Sequence, residues 1–264
     1  MFDEVDWSRP WYDAVRPAFG RAAFDALGLS AALTKGAAEL ALINARGQPI
    51  RFVPQAELPE GRAYEEFIGA TGNVPTRENL HDFFNGLVWL TFPRIKLQLN
   101  ALQAAQIALA GVGKSRGPAR DGATIFDENC ALLVVRDGAA GDALVDALRA
   151  HRWTQALYDR RAMFGRNAQV WLFGHALMEK LVAPRKAITA HTLVVRAPDD
   201  FFNLAHDAQR AWIDAQVAAS LVSEGLSTAR FTPLPVLGVP GWWEGQDAAF
   251  YADATVFRPK RAST

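Results

Sequence analysis

Five polar residues sit where apolar ones predominate. His81, Asp82, Asn85, Lys96 and Asn100 fall among Leu80, Phe83, Phe84, Leu87, Trp89 and Ile95. A polar group buried without a hydrogen-bond partner costs roughly 1–3 kcal/mol, so such a row marks either a satisfied internal network or a binding cleft. An imidazole moves protons near neutral pH. His81 is therefore the candidate proton carrier, with Asp82 and Asn85 as its orienting partners. Arg77, Lys96 and Asn100 are candidate substrate-binding residues, the first two suited to an anion. The competing role for His81 and Asn85 is that of struts between helices.

A second group lies downstream. His175 and Glu179 are four residues apart in an apolar run, which puts imidazole and carboxylate on one side of a helix. With His191 they make a candidate set for a divalent metal such as zinc, since three protein ligands and an open position suit a catalytic site. The competing role is a buried His–Glu pair. His81-Asp82 is not the histidine–aspartate dipeptide of metal-dependent phosphohydrolases, because no histidine precedes it. Asp121, Asp127 and Glu128 read as turn acids, with metal binding or base chemistry open to them if geometry brings them to the helix pair. Residues 108–115 match a relaxed phosphate-loop pattern, but a helix precedes them where the motif needs a strand. Their neighbours Lys114, Arg116 and Arg120 make a basic loop. Trp242 and Trp243, in a Pro- and Gly-rich tail, either wall a substrate pocket or anchor the tail to the core.

The elements that must position these residues follow from periodicity. Leu80, Phe83, Phe84, Leu87 and Val88 form one face of a helix over 79–90, and Pro93 opens a second helix with Ile95, Leu99 and Leu102 as its core stripe. Residues 40–53 read as a β-hairpin, 63–70 as a short helix and 71–76 as a loop. Residues 111–122 read as a loop, 123–126 and 130–135 as strands, and 139–150 as a helix. The run 167–182 reads as a buried helix, 188–195 as a strand, and 199–223 as a long helix capped by Asp199 or Asp200, with His206, Arg210 and Asp214 on its surface. The tail from Thr232 reads as an extended arm.

Composition narrows the function classes. The 264 residues are 50% hydrophobic, enough for a substantial core, and the pattern predicts one α+β domain over 1–264, mostly helical, with small antiparallel β elements. Lys+Arg and Asp+Glu balance at 28 each, so no net field gathers nucleic acid or anionic lipid. A small-molecule ligand fits better; oligomeric state is not encoded legibly. Cys130 is the only cysteine, which excludes an internal disulfide and points to a reducing compartment. With no signal-peptide pattern and no apolar stretch of spanning length, the expected location is the cytoplasm.

Several motifs occur together: Val74-Pro-Thr-Arg-Glu-Asn-Leu-His-Asp-Phe-Phe-Asn-Gly-Leu-Val-Trp-Leu90, Arg120-Asp121 with Phe126-Asp-Glu128, Phe173-Gly-His-Ala-Leu-Met-Glu-Lys180, Thr189-Ala-His191 and Leu234-Pro-Val-Leu-Gly-Val-Pro-Gly-Trp-Trp243. In this order the chain resembles the bacterial Domain of Unknown Function 3025 family over about 64–258. The resemblance implies a soluble bacterial protein whose histidine and tryptophan segments belong to one unit, and it implies no reaction. The residues themselves favour a hydrolytic or other acid/base enzyme acting on a small anionic substrate. The alternative is a non-catalytic ligand-binding or protein-interaction module in which the buried polar residues are structural.

Overall fold

In the computed structural model, which describes residues 2–22, 24–110 and 118–260, the chain begins with α1 (Arg16–Arg21), α2 (Phe24–Leu27), α3 (Leu29–Glu39), β1 (Arg51–Pro54), α4 (Tyr64–Thr71) and β2 (Asn73–Thr76). It continues through α5 (Leu80–Thr91), α6 (Pro93–Ala110), α7 (Pro118–Asn129), β3 (Cys130–Arg136), α8 (Ala139–Arg149) and β4 (Ala168–Leu172). The last elements are α9 (His175–Lys180), β5 (Thr189–Ala197), α10 (His206–Glu224), β6 (Phe231–Pro235) and α11 (Ala248–Ala252). Helix takes 54% and strand 15%, so the class is α+β.

Strand order β4-β3-β5-β6 makes the main sheet. Its interior strand β3 is buried from Cys130 to Val135, as a strand covered on both faces must be. Leu132 and Val134 join the core that contains Phe83, Phe84, Leu87 and Val88 of α5, while Leu133 and Val135 join Leu144, Val145 and Leu148 of α8. The pairings are mixed rather than purely antiparallel: β3 runs parallel to β5 and antiparallel to β4, and β5 is antiparallel to β6. Among the described residues no helix is long and apolar enough to cross a membrane.

Several local expectations change. Only an isolated bridge, Ile43 to Pro49, remains of the hairpin over 40–53, because Arg51–Pro54 pairs in parallel with 73–76, the segment expected to be a loop. Residues 123–126 are helical in α7; the Thr-Ile-Phe run has strand-like composition, but Ala123, Phe126 and Asp127 are buried at helical spacing. Residues 111–117, the phosphate-loop pattern's second half with Lys114 and Arg116, lie outside the described residues. The run 167–182 is not one helix but β4, a turn at Phe173-Gly174 and α9, since an apolar run has no periodicity to separate buried strand from buried helix. Asp199 and Asp200 start a 3-10 turn, and the long helix begins at His206.

Nor are Arg210 and Asp214 free surface groups. Both reach from α10 to the junction of α5 and α6. Arg210 Nη1 donates to the Thr91 carbonyl at 2.7 Å, and the Asp214 carboxylate accepts from the Arg94 and Ile95 amides at 3.1 and 2.9 Å. A cation thus meets the end of one helix and an anion the start of the next, as the helix dipoles favour. Burial pushes the Asp214 carboxyl up to about 6, against the pull of those amides. A folded-state value above the unfolded one stabilises the fold below about pH 4, and that contribution is lost as pH rises through about 6. Relative to Asp214→Asn, the wild-type protein should therefore lose about 2–3 kcal/mol of stability between pH 4 and pH 7, read from urea unfolding at each pH. Parallel profiles for the two proteins would contradict this.

Candidate active site

The site is assembled where the start of α5, the end of α7 and α9 meet beside α6. Asn79 caps α5 by accepting from the Asp82 amide at 2.8 Å. Asp82 is then saturated by Arg77: one carboxylate oxygen takes the Arg77 amide at 2.6 Å and Nε at 2.9 Å, the other takes Nη2 at 3.0 Å. Asp82 and Arg77 thus fix the entry to α5, and Asp82 is not bonded to His81. The partner of His81 is Glu179, whose Oε2 lies 3.0 Å from Nδ1.

Lys96 and Asn100, expected to meet substrate, are buried. Lys96 Nζ donates to Asn85 Oδ1 at 2.9 Å and Asp127 Oδ1 at 2.6 Å, and it lies 5.3 Å from the centre of the Trp89 ring. Asn85 Nδ2 in turn donates to the Tyr64 hydroxyl at 3.2 Å, so Asn85 joins α4, α5 and α6 and does not orient His81. Asn100 Nδ2 donates to the carbonyl and to Oε2 of Glu65, at 2.9 and 2.6 Å. Burial alone would raise the Asp127 carboxyl, but the Lys96 ammonium holds it below its ordinary value.

The two histidines meet through their outer nitrogens. His175 Nε2 is 3.1 Å from His81 Nε2, with ring centres 4.5 Å apart at 78°. The Glu128 carboxylate comes within 3.8 Å of His175 Nε2, and His175 Nδ1 is turned to Asp127 Oδ2 at 3.9 Å. One ligand atom from each of His81, Glu128 and His175 falls within 4.8 Å of the others, a grouping compatible with one metal ion. Burial pulls His175 down to about 4, so it is neutral at pH 7. Burial raises the Glu128 carboxyl. Glu179 assigns the His81 proton to Nδ1, whereas His175 Nδ1 is buried without a hydrogen-bond partner, so in the 3.1 Å contact His175 Nε2–H donates to the His81 Nε2 lone pair.

Gly174 makes this approach feasible. A Cβ on it would stand 2.5 Å from the Cys130 amide nitrogen and 2.6 Å from the Glu128 carbonyl, so the turn before α9 can lie on the α7–β3 junction only with glycine there.

His191 is not part of the cluster. Ala190 and Thr192 are buried on either side of it, so strand alternation turns His191 outward, 6.2 Å from the Phe231 ring. Trp242 and Trp243 are half-buried against the core, and Trp242 lines a separate cleft with Trp11, Trp171 and His206. Cys130 is buried and its thiol is pushed up by burial, so it offers no thiolate.

A cleft of about 370 Å³ adjoins the cluster, with Asp127 and Glu128 in its wall beside Tyr64, Glu65 and Arg120. Burial, then the Asp127 charge, raises the Glu65 carboxyl, and burial pushes the Tyr64 hydroxyl well above its ordinary value. Glu65 escapes notice in the sequence because acids in the first turn of a helix are common. Glu128 looked like a turn residue until the helix placed it one position past the end of the Lys96 ion pair.

Because Lys96 and Asp127 are buried together, removing one strands the other. Lys96→Met should cost about 3–5 kcal/mol, and adding Asp127→Asn should recover most of that loss in a double-mutant cycle read by chemical denaturation. Additive losses would show the pair to be uncoupled. Gly174→Ala should destabilise the protein by about 2 kcal/mol or more, since its new methyl group meets backbone atoms. A melting temperature unchanged by that substitution would contradict the close approach.

A family model described as "Protein of unknown function (DUF3025)" matches residues 50–261. No curated protein and no solved structure matches the chain.

Proposed function

The chain belongs to that family, DUF3025, and we propose that it is a divalent-metal-dependent hydrolytic enzyme acting on a small anionic substrate, with His81, His175 and Glu128 as the metal-holding residues. The observation that carries this reading is the grouping of His81, His175 and Glu128, one ligand atom from each within 4.8 Å of the others, with the two imidazole Nε2 atoms 3.1 Å apart. With its proton moved to Nδ1, beside Asp127, His175 would leave Nε2 free to hold an ion together with His81 Nε2. With zinc–nitrogen bonds of about 2.0–2.1 Å, tetrahedral coordination sets two nitrogens roughly 3.3 Å apart, close to the separation here. A ligating histidine commonly gives its other ring N–H to a carboxylate, which is the part Glu179 plays for His81.

Charge supports the same reading. Arg77 pairs with Asp82 and Lys96 with Asp127, whereas Glu128 and Glu179 face the His175 and His81 imidazoles. Two carboxylates beside two histidines suit a doubly charged ion, and a donor set of imidazole and carboxylate suits zinc. When bound, such an ion makes a water nucleophilic near neutral pH and polarises a substrate oxygen. On this reading His81 holds the ion rather than carrying a proton. Glu179 keeps its ring in place, Asp127 stands 3.9 Å from His175 Nδ1, and the exposed Arg77 and Lys180 lend positive charge to the mouth.

The test is metal titration of the wild-type protein and four variants. Stripped protein should take up one equivalent of Zn²⁺ or Co²⁺ by calorimetry and metal analysis. His81→Ala, His175→Ala and Glu128→Gln should abolish that uptake, and Glu179→Gln should weaken it by about 10–100-fold. Hydrolysis of p-nitrophenyl acetate or p-nitrophenyl phosphate should stop with a chelator, return with the ion and be absent from His81→Ala, whose melting temperature without metal stays near wild type. Protein that takes up no ion, or hydrolysis indifferent to chelation, overturns the proposal.

A further inference from the structure

Helix α7 presents one stripe to the cleft: Arg120, Thr124, Asp127 and Glu128, spaced i, i+4, i+7 and i+8. Its inner end is Glu128, at the histidine pair. Its outer end is Arg120, eight residues away, which at 1.5 Å rise per residue is about 12 Å along the axis. Among the described residues Arg120 makes no ion pair, and its Nη1 is buried without a hydrogen-bond partner. A shielded guanidinium nitrogen lacking an acceptor is costly, and its fork fits a carboxylate or phosphate. Between the two ends the wall carries Glu65, its carboxyl raised by burial, and Asp127, already paired with Lys96, and no cation that could hold a charged middle.

We infer that Arg120 is the specificity-determining residue of the cleft, binding a terminal carboxylate or phosphate of an elongated substrate whose middle is uncharged and whose reacting group lies at Glu128, a helix-axis rise of about 12 Å further along α7. This rests on the reading of His81, His175 and Glu128 as the reaction centre, and it deepens that reading by naming the length and the terminal group of the substrate. An ordinary monoanion such as acetate reaches only one end of the cleft.

Linear dicarboxylates serve as rulers, since one end can meet the bound ion and the other Arg120. Calorimetry with zinc-loaded protein should find suberate and sebacate binding at least about tenfold tighter than succinate. Arg120→Gln should erase that preference without changing acetate affinity, and Arg120→Lys, which keeps the charge without the fork, should fall between. The phosphono analogue of suberate separates the two terminal groups: whichever binds tighter is the one the cleft selects. A flat series, or a length preference that survives in folded Arg120→Gln, overturns the inference. Should no ion bind, the metal reading fails by itself, and suberate binding to metal-free protein still decides this one: loss in Arg120→Gln supports it, and no binding or no change overturns it.

Discussion

The Lys96 ammonium is buried beneath the histidine pair, between Trp89, Asn85 and Asp127, and it cannot remain there as an isolated charge. An ion removed from water is tolerated only where a counter-charge and hydrogen bonds replace the lost hydration. Asp127 supplies the charge and Asn85 the second acceptor, which pins the last turn of α7 against α5 and α6. The next residue, Glu128, is carried by the same turn to the neighbouring direction and meets His175. The position of the candidate metal ligands thus follows from a structural ion pair one residue away.

The other half of the cluster is set by backbone approach. β3 begins directly after α7, and the turn at Gly174 lies against that junction, where a side chain would collide with main-chain atoms. Phe173 and Gly174 amides both bond the Cys130 carbonyl, at 3.1 and 2.8 Å, so α9 starts at a fixed place and its first residue, His175, meets His81. Glu179, one turn later, reaches the far side of the His81 ring. Rigid elements with their own hydrogen bonds therefore hold each of the interacting side chains, which is what a precise site requires.

How much of this could be read in advance depended on the residues. The helical faces of α5 and α6 were legible because Phe83, Phe84, Leu87, Ile95 and Leu99 repeat at helical spacing, and the same pattern marked Asn85, Lys96 and Asn100 as enclosed. That His175 and Glu179 share a side of α9 was legible from a four-residue spacing, but the two turn to His81 rather than pairing with each other. Which histidine they would join was not, because long-range proximity leaves no local signal. Alternation within β5 separates His191 from its neighbours, but that required knowing that Ala190 and Thr192 face inward. The strand reading of 123–126 hid the stripe that links Arg120 to Glu128, since those residues share a side only in a helix. Asp82 was misassigned because an acid beside a histidine looks like its partner, whereas the first turn of a capped helix turns it towards Arg77.

X-ray absorption spectroscopy of the zinc-loaded protein reads whether His81, His175 and Glu128 share one divalent ion. The predicted spectrum has two imidazole nitrogens at about 2.0–2.1 Å and one or two oxygens at about 2.0–2.2 Å, and no imidazole-bound zinc in His175→Ala. A shell of oxygens without imidazole scattering, or one unchanged in that variant, would contradict it.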